Sequence, residues 1–339
     1  MGPLPHTPLA HPHCPPPVPT PLAGKRGRGE VGGMAPNTSA KSKASPKSSA
    51  TTATAKPGKK AKGAKATMAD GADRYALYRL SVQDPEHEVS MFRRFYKDAF
   101  NRWPTTLRED FCAAFAVCVE WVQRDAEATA VGVDLDPEPL DYGRQHYLPA
   151  LSAEQQARLT LLQQDVLETK TKAEVIAAQN YSFFLFKKRE EVLRYFKSVK
   201  RSLADEGIFV FDMMGGSAFY QADLQEARKV ARRTPQAKRD NPPFRYVWHQ
   251  ETFNPITADA LFHIHFRFPD GSALERAFTY DWRLWTLPEL RELLDEAGFS
   301  ETHVYWETLD KDGDPSGNYR RATDGRPDPA WLCYVVAVA

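Results

Sequence analysis

Residues 106–137, TLREDFCAAFAVCVEWVQRDAEATAVGVDLDP, constrain this chain more than any other stretch. A short strand is predicted at 107–111, a helix at 112–124 with Phe115, Val119 and Val122 on one face, and a β-branched buried strand at 129–135. Asp136-Pro137 then opens another helix, since Asp is a favoured N-cap and Pro fits the first helical position. An acid about 20 residues past a tight strand-to-helix turn is how a doubly wound fold holds a nucleoside ribose. Asp134 stands in that place, but the glycines that normally shape the turn are missing.

Charge and composition divide the chain unevenly. Residues 1–66 hold 11 of the 45 Lys+Arg, 12 of the 26 Pro and only one acid, Glu30. The remainder carries 34 bases against 43 acids, so the overall charge of +1 hides a basic tail on an acidic body. The tail is expected to be disordered, because it cannot bury enough apolar surface to offset its ordering entropy. It would serve as an electrostatic arm for nucleic acid or, more plainly, as a solvated leader, with Met34 and Met68 both usable as starts. One domain is expected over 67–339. The cysteines Cys14, Cys112, Cys118 and Cys333 show no paired or metal-type spacing, which favours a reducing compartment. No apolar run reaches membrane-span length and no signal core is visible, so a cytoplasmic protein without a membrane partner is expected.

Order is expected from Asp73, with Tyr75, Tyr78 and Gln83 in a loop over a pocket. A helix follows the Asp84-Pro85 start, burying Val89, Phe92, Phe95 and Tyr96. Further strands are predicted at 159–162, ending near Asp165, at 174–178, ending at Gln179-Asn180-Tyr181-Ser182, and at 208–214. A helix at 189–204, stopped by Gly207, separates the last two. This alternation predicts an α/β, doubly wound, mostly parallel sheet. Residues 217–243 read as irregular. Strands at 244–253, 260–268 and 274–281 then form an antiparallel insertion within 217–283, with a turn at Pro269-Asp270-Gly271-Ser272. A helix at 287–297 stops at Gly298, and strands at 302–307 and 331–338 close the domain around an acidic, Gly-rich loop.

The segments LREDFC, VGVDLDPE, QQDVLE, AAQNYSF and HIHFRFPDG…FTYDWRLWTLPELRELLDEAGF resemble a bacterial branch of the class I S-adenosylmethionine-dependent methyltransferases, from about Tyr75 to the C-terminus. The resemblance implies a Rossmann-like sheet with an antiparallel last strand and S-adenosyl-L-methionine as cofactor. It places Glu109 at the family's acid and Phe111, Ala113 and Phe115 at its three glycine positions, with Cys112 between the first two. Asp134 would accept both ribose hydroxyls, beside Leu135. Asp165 and Val166 would meet the adenine, and Asn180 and Tyr181 the methionine end, with Tyr78 nearby. Phe111 and Phe115 must either point away or reshape the turn.

Plainer roles stand beside these. Asp134 could be a loop acid, Tyr78 simple packing, and Glu109 a partner of Arg108 or Arg124. His263 and His265 share one strand face and could share an ion, but no third ligand follows at suitable spacing, so a polar sheet face and no metal are expected. Trp248, His249 and Tyr280 are candidates to line the acceptor site. His249 or Tyr181 could take a proton if the acceptor is an amine or hydroxyl. The acidic, aromatic-rich body suits a small-molecule acceptor better than RNA. The competing expectations are an NAD(P)-dependent Rossmann oxidoreductase and a degenerate, cofactor-free binding protein of the same fold.

Overall fold

Asp73 accepts the backbone N–H groups of Tyr75 and Ala76 and so opens helix α1 (Arg74–Val82) in the computed structural model, which describes residues 66–231 and 235–339, and of 235–237 only the backbone. The predicted basic tail lies outside the described residues, except for its last position. Tyr75 and Tyr78, expected in a loop, sit on this capped helix, and Gln83 ends it. The cap decides the matter: a side-chain acceptor for the first orphan N–H groups makes a nine-residue helix viable. Asp84 and Pro85 then start α2 (Pro85–Phe100), whose Val89, Phe92, Phe95 and Tyr96 are fully buried.

The main sheet has the order β11-β10-β12-β5-β4-β1-β2-β3. Its parallel half comprises β1 (Thr106–Asp110), β2 (Thr129–Asp134), β3 (Leu159–Gln163), β4 (Ala173–Ala178) and β5 (Leu203–Gly215). Helices α3 (Ala116–Arg124), α4 (Pro137–His146), α5 (Ala153–Ala157) and α6 (Arg189–Ser202) connect them. Because β1 pairs with β2 on one side and β4 on the other, the winding reverses at β1. Open α/β sheets bind ligands at such a reversal, outside the carboxyl ends of the strands. The sheet closes with β10 (Glu301–Leu309), β11 (Pro315–Ala322) and β12 (Trp331–Val338), and β12 lies antiparallel to both β5 and β10. Two features of this closing half differ from expectation. Helix α6 ends at Ser202 because Leu203 is already extended, so Gly207 lies inside β5. The acidic loop between β10 and β12 contains β11.

Residues 217–283 form a second, four-stranded antiparallel sheet in the order β6-β7-β8-β9: β6 (Leu224–Lys229), β7 (Arg245–Phe253), β8 (Asp259–Arg267) and β9 (Ala273–Arg283). The short helix α7 (Pro235–Asp240) precedes β7, and α8 (Leu287–Ala297) follows β9, ending at Gly298 as predicted. Strand β6 was expected to be irregular. Its sequence LQEARK shows no apolar alternation, and pairing with β7 makes it a strand at a sheet edge. The inner face of this sheet carries Tyr246, Trp248, Phe262, Ile264, Phe266 and Trp282 into the same core as Phe209, Phe211 and α8.

Candidate functional site

The turn after β1 keeps the shape that glycines would give it. Phe111, Ala113 and Phe115 adopt φ of 57°, 46° and 50°, so all three positions aligned with the missing glycines are left-handed. Helix α3 therefore begins at Ala116, not at residue 112 as its apolar spacing suggested. Each left-handed non-glycine residue costs on the order of 1 kcal/mol. Local bonds offset this cost: Cys112 N–H donates to the Val133 carbonyl (3.0 Å) and Phe115 N–H to the Cys112 carbonyl (2.6 Å). The two phenylalanine side chains pack against neighbouring elements. The Phe111 ring packs edge-on against Phe186 and Tyr195, and buried Phe115 packs against Tyr147 and α4. Gly143 of α4 makes room for it, since a Cβ there would stand 2.4 Å from the Phe115 ring. The small residue has moved from the loop to the helix facing it.

Asp134 holds this turn in place. Its carboxylate accepts the Ala113 N–H at 2.7 Å and the Asp136 N–H at 2.9 Å. Burial pushes its carboxyl above the usual range, while these backbone donors pull the other way. Leu135 beside it is 66% exposed, unusual for a leucine next to a strand end. The Gln164 N–H bonds to the Asp134 carbonyl, which brings the end of β3 alongside. There Asp165 is exposed and accepts the Leu167 N–H, while Val166 is buried.

Glu109 and its neighbours lie beneath the turn. Arg108 and Asp110, two residues apart on one strand, share a face and form a fully buried ion pair at 2.9 Å, joined by the Tyr195 hydroxyl. Arg108 is thus not the partner of Glu109, and Arg124 pairs with Glu120 instead. Buried Glu109 accepts the N–H and thiol of Cys118, serving α3 as an acceptor for its first turn. Burial raises its carboxyl to about 8. The folded state therefore holds this proton more tightly than the unfolded chain between about 4.5 and 8, and stability should fall as pH rises through that window. In urea titrations the Glu109→Gln variant should lose up to about 1.4 kcal/mol per pH unit of that slope.

At the end of β4, Asn180 and Tyr181 are also left-handed (φ 57° and 56°). Asp212 of β5 accepts both of their backbone N–H groups, at 2.9 and 3.0 Å. Sequence reasoning gave Asp212 no role, although an acid inside the apolar run IFVFDMM was a signal for one. The Tyr181 ring stands 6.1 Å from Trp282, which stacks on Tyr280 at 4.5 Å and lies 6.4 Å from Trp248. Tyr78 of α1 packs on Phe278 beside Tyr280. The structure thus gathers Tyr78, Tyr181, Trp248 and Tyr280 along one continuous wall.

His249 lies on the other face of β7, with its Nδ1 3.2 Å from Nε2 of His265. That face is less open than expected: His263 and His265 are buried, bonded to Glu251 and Thr279 and to Glu275 respectively. Among the described residues no group of three or more His, Cys, Asp or Glu could hold a metal ion. No helix among them is long and apolar enough to cross a membrane.

No family model and no curated protein matches the sequence. Solved structures do match the fold. The chain is similar to DesVI of Streptomyces venezuelae, with a TM-score of 0.56 and 18% identity over 78% of this chain and 96% of that one. It is similar to an S-adenosylmethionine-dependent methyltransferase of Clostridium acetobutylicum, with a TM-score of 0.54 and 14% identity over 78% and 97%. It is also similar to the sugar N-methyltransferase KedS8 of a Streptoalloteichus species, with a TM-score of 0.53 and 16% identity over 83% and 99%. The fold is the Rossmann-like fold of methyltransferases. At these identities the likeness establishes the architecture. Within the methyltransferase fold, the turn after β1 and the ends of β2, β3 and β4 lie together at the point where the winding reverses.

Proposed function

We propose that the chain is an S-adenosylmethionine-dependent methyltransferase acting on a small-molecule acceptor. The observation that carries this is the left-handed backbone at Phe111, Ala113 and Phe115, held by the Asp134 carboxylate. A costly left-handed backbone held in place by a carboxylate and by distant packing is the kind of strain that gathers at ligand-binding sites. With their side chains turned aside, the open side of the turn can still approach a ligand closely.

Asp134 would accept the ribose hydroxyls, because an ionised carboxylate has more acceptor sites than its backbone bonds use. Leu135 and Val166 would cover the adenine ring and Asp165 its amine, while Asn180, Tyr181 and Tyr78 would border the methionine end. Phe111, Cys112 and Ala113 would contribute through the backbone, and Glu109 would support the turn from below. When bound, the cofactor supplies a methyl group whose bond to the sulfonium breaks, leaving the bonding pair on a neutral thioether as the acceptor's lone pair forms the new bond. The chain's own residues hold the two reactants in line and exclude water. The acceptor's surplus proton would pass to water; Tyr181 could take it only as a phenolate. His249, facing away from the aromatic wall, is given no part.

The wall beneath the inserted sheet suits a small molecule, and proteins of similar structure include a sugar N-methyltransferase and an amino pentose methyltransferase. Calorimetry with S-adenosylmethionine, S-adenosylhomocysteine, NAD and NADP tests the proposal. The first two should bind at micromolar levels and the dinucleotides should not. Binding of NAD or NADP instead would establish an oxidoreductase site, and no binding of any of the four a cofactor-free protein.

A further inference from the structure

Two carboxylates flank the reversal of winding in equivalent places. On one side Asp110 of β1 is paired with Val133 of β2, and Asp134, the next residue, reaches across to the Ala113 N–H. On the other, Ala178 of β4 is paired with Phe211 of β5, and Asp212, again the next residue, reaches across to the N–H groups of Asn180 and Tyr181. Each acid holds left-handed backbone, with φ of 46° at Ala113, 57° at Asn180 and 56° at Tyr181. Asp134 has a ligand role in the function proposed above, and Asp212 has none. Asp212 is 7% exposed, and both of its oxygens accept, which is the role of an ionised carboxylate. Its charge acts beyond the corner. Burial, and after it the charge of Asp212, pushes the Cys333 thiol up. Burial first, then the charges of Glu88 and Asp212, push up the Tyr78 hydroxyl of α1.

We infer that Asp212 is a positioning residue that makes the site prefer the charged cofactor, S-adenosylmethionine, to its neutral product, S-adenosylhomocysteine. The inference rests on the function proposed above, in which the Asn180-Tyr181 corner borders the methionine end. The two ligands differ only in the methyl group and the positive charge on sulfur. Enclosing a sulfonium removes it from water, a cost that a nearby anion offsets. Asp212 bonds to the corner's backbone N–H groups, so its field reaches the sulfonium without contact, in surroundings where water screens little. The Tyr181 ring, on the same corner, adds the attraction of an aromatic face for a cation. Once the methyl group has left, the sulfur is a neutral thioether and this attraction ends. Spent cofactor is then held less tightly than fresh cofactor and leaves. Asp134, on the other flank, serves the ribose that both ligands share.

The test is calorimetry on the full chain with S-adenosylmethionine, S-adenosylhomocysteine and sinefungin, an analogue whose ammonium replaces the methyl sulfonium. Wild type should bind both charged ligands at least as tightly as S-adenosylhomocysteine. Asp212→Asn removes the charge, and its amide oxygen can keep one of the two N–H bonds. It should weaken S-adenosylmethionine and sinefungin about tenfold more than S-adenosylhomocysteine, a difference of about 1.4 kcal/mol. Asp212→Glu keeps the charge while disturbing the corner, so it should weaken all three ligands alike, to within roughly threefold. A purely structural Asp212 would give that uniform loss in Asp212→Asn as well, and this result overturns the inference. Discrimination lost equally in Asp212→Asn and Asp212→Glu also overturns it, because charge would not be the cause. If Asp212→Asn does not fold, the order in wild type decides, and either charged ligand binding more weakly than S-adenosylhomocysteine overturns the inference. If neither S-adenosylmethionine nor S-adenosylhomocysteine binds wild type, the proposed methyltransferase function falls, and this inference with it.

Discussion

Asp134→Ala should reduce affinity for S-adenosylhomocysteine by about 100-fold or more, whereas His249→Ala should change it by less than about threefold. Two charge-assisted hydrogen bonds to the ribose hydroxyls, at roughly 1.5–3 kcal/mol each, account for a loss of that size. Part of it would come from the turn, because the same carboxylate holds the N–H groups of Ala113 and Asp136. Asp134→Asn separates the two parts. Its carbonyl oxygen can keep the Ala113 bond at the expense of the Asp136 one, so the turn after β1 should persist while the charge is lost, and affinity should fall by about tenfold. Burial raises the Asp134 carboxyl, and ribose binding needs it ionised, so affinity in wild type should decline as pH falls through that raised value. The Asp134→Asn variant should show no such decline. Calorimetry across the pH range measures all three effects. Equal affinity in wild type and Asp134→Ala would remove Asp134 from the site.

Gly143→Ala should destabilise the fold by about 3 kcal/mol, although alanine is the better helix former by about 1 kcal/mol. The new Cβ would stand 2.4 Å from the Phe115 ring and 2.5 Å from the Ala114 carbonyl oxygen. A ring can shift, but Phe115 is buried and anchors a left-handed residue, and the Ala114 oxygen belongs to the backbone of the same turn. The strain should therefore reach the site, and S-adenosylhomocysteine affinity should fall with stability. Phe115→Ala alone should cost about 3–5 kcal/mol, and the double variant should lose less than the sum of the two, because the clash with the ring is gone. Urea denaturation of the single and double variants gives the stabilities. A Gly143→Ala protein as stable as wild type would mean that α4 does not pack on the turn as described.

Where local physics decides, the sequence was legible. In VGVDLDPE the strand end, the cap Asp136 and the helix-opening Pro137 are each fixed by neighbouring residues, and the structure has β2, Asp134 and α4 in those places. Helix α8 and its Gly298 stop, and strand β12, were equally clear because periodicity and punctuation agree. Strand β11 was hidden for the reason β6 was. Its Pro315 and Gly317 argue against a strand, and pairing with β10 overrides them.

The candidate site was only half legible. EDFCAAF carries helix-compatible apolar spacing through Cys112, so nothing local announces three left-handed residues. Their conformation depends on Asp134, Phe186, Tyr195 and Gly143, which the chain brings together only on folding. Asp212 could be noticed as an acid in an apolar strand, but its two bonds to the Asn180-Tyr181 corner require β4 beside β5. The histidines of β8 were correctly placed on one face, but their burial depends on what surrounds that face.

By itself, the sequence determined the alternation of strands and helices, the acid at the end of β2 and the inserted antiparallel strands. These follow from the spacing of apolar residues and from caps and turns within a few residues. Tertiary structure alone decided that the turn after β1 keeps a glycine-like backbone, that Glu109 supports α3, and that Asp212 holds the Asn180-Tyr181 corner. The physical reason is the range of the forces involved: a left-handed phenylalanine is unfavourable locally, and only packing against distant elements holds it there.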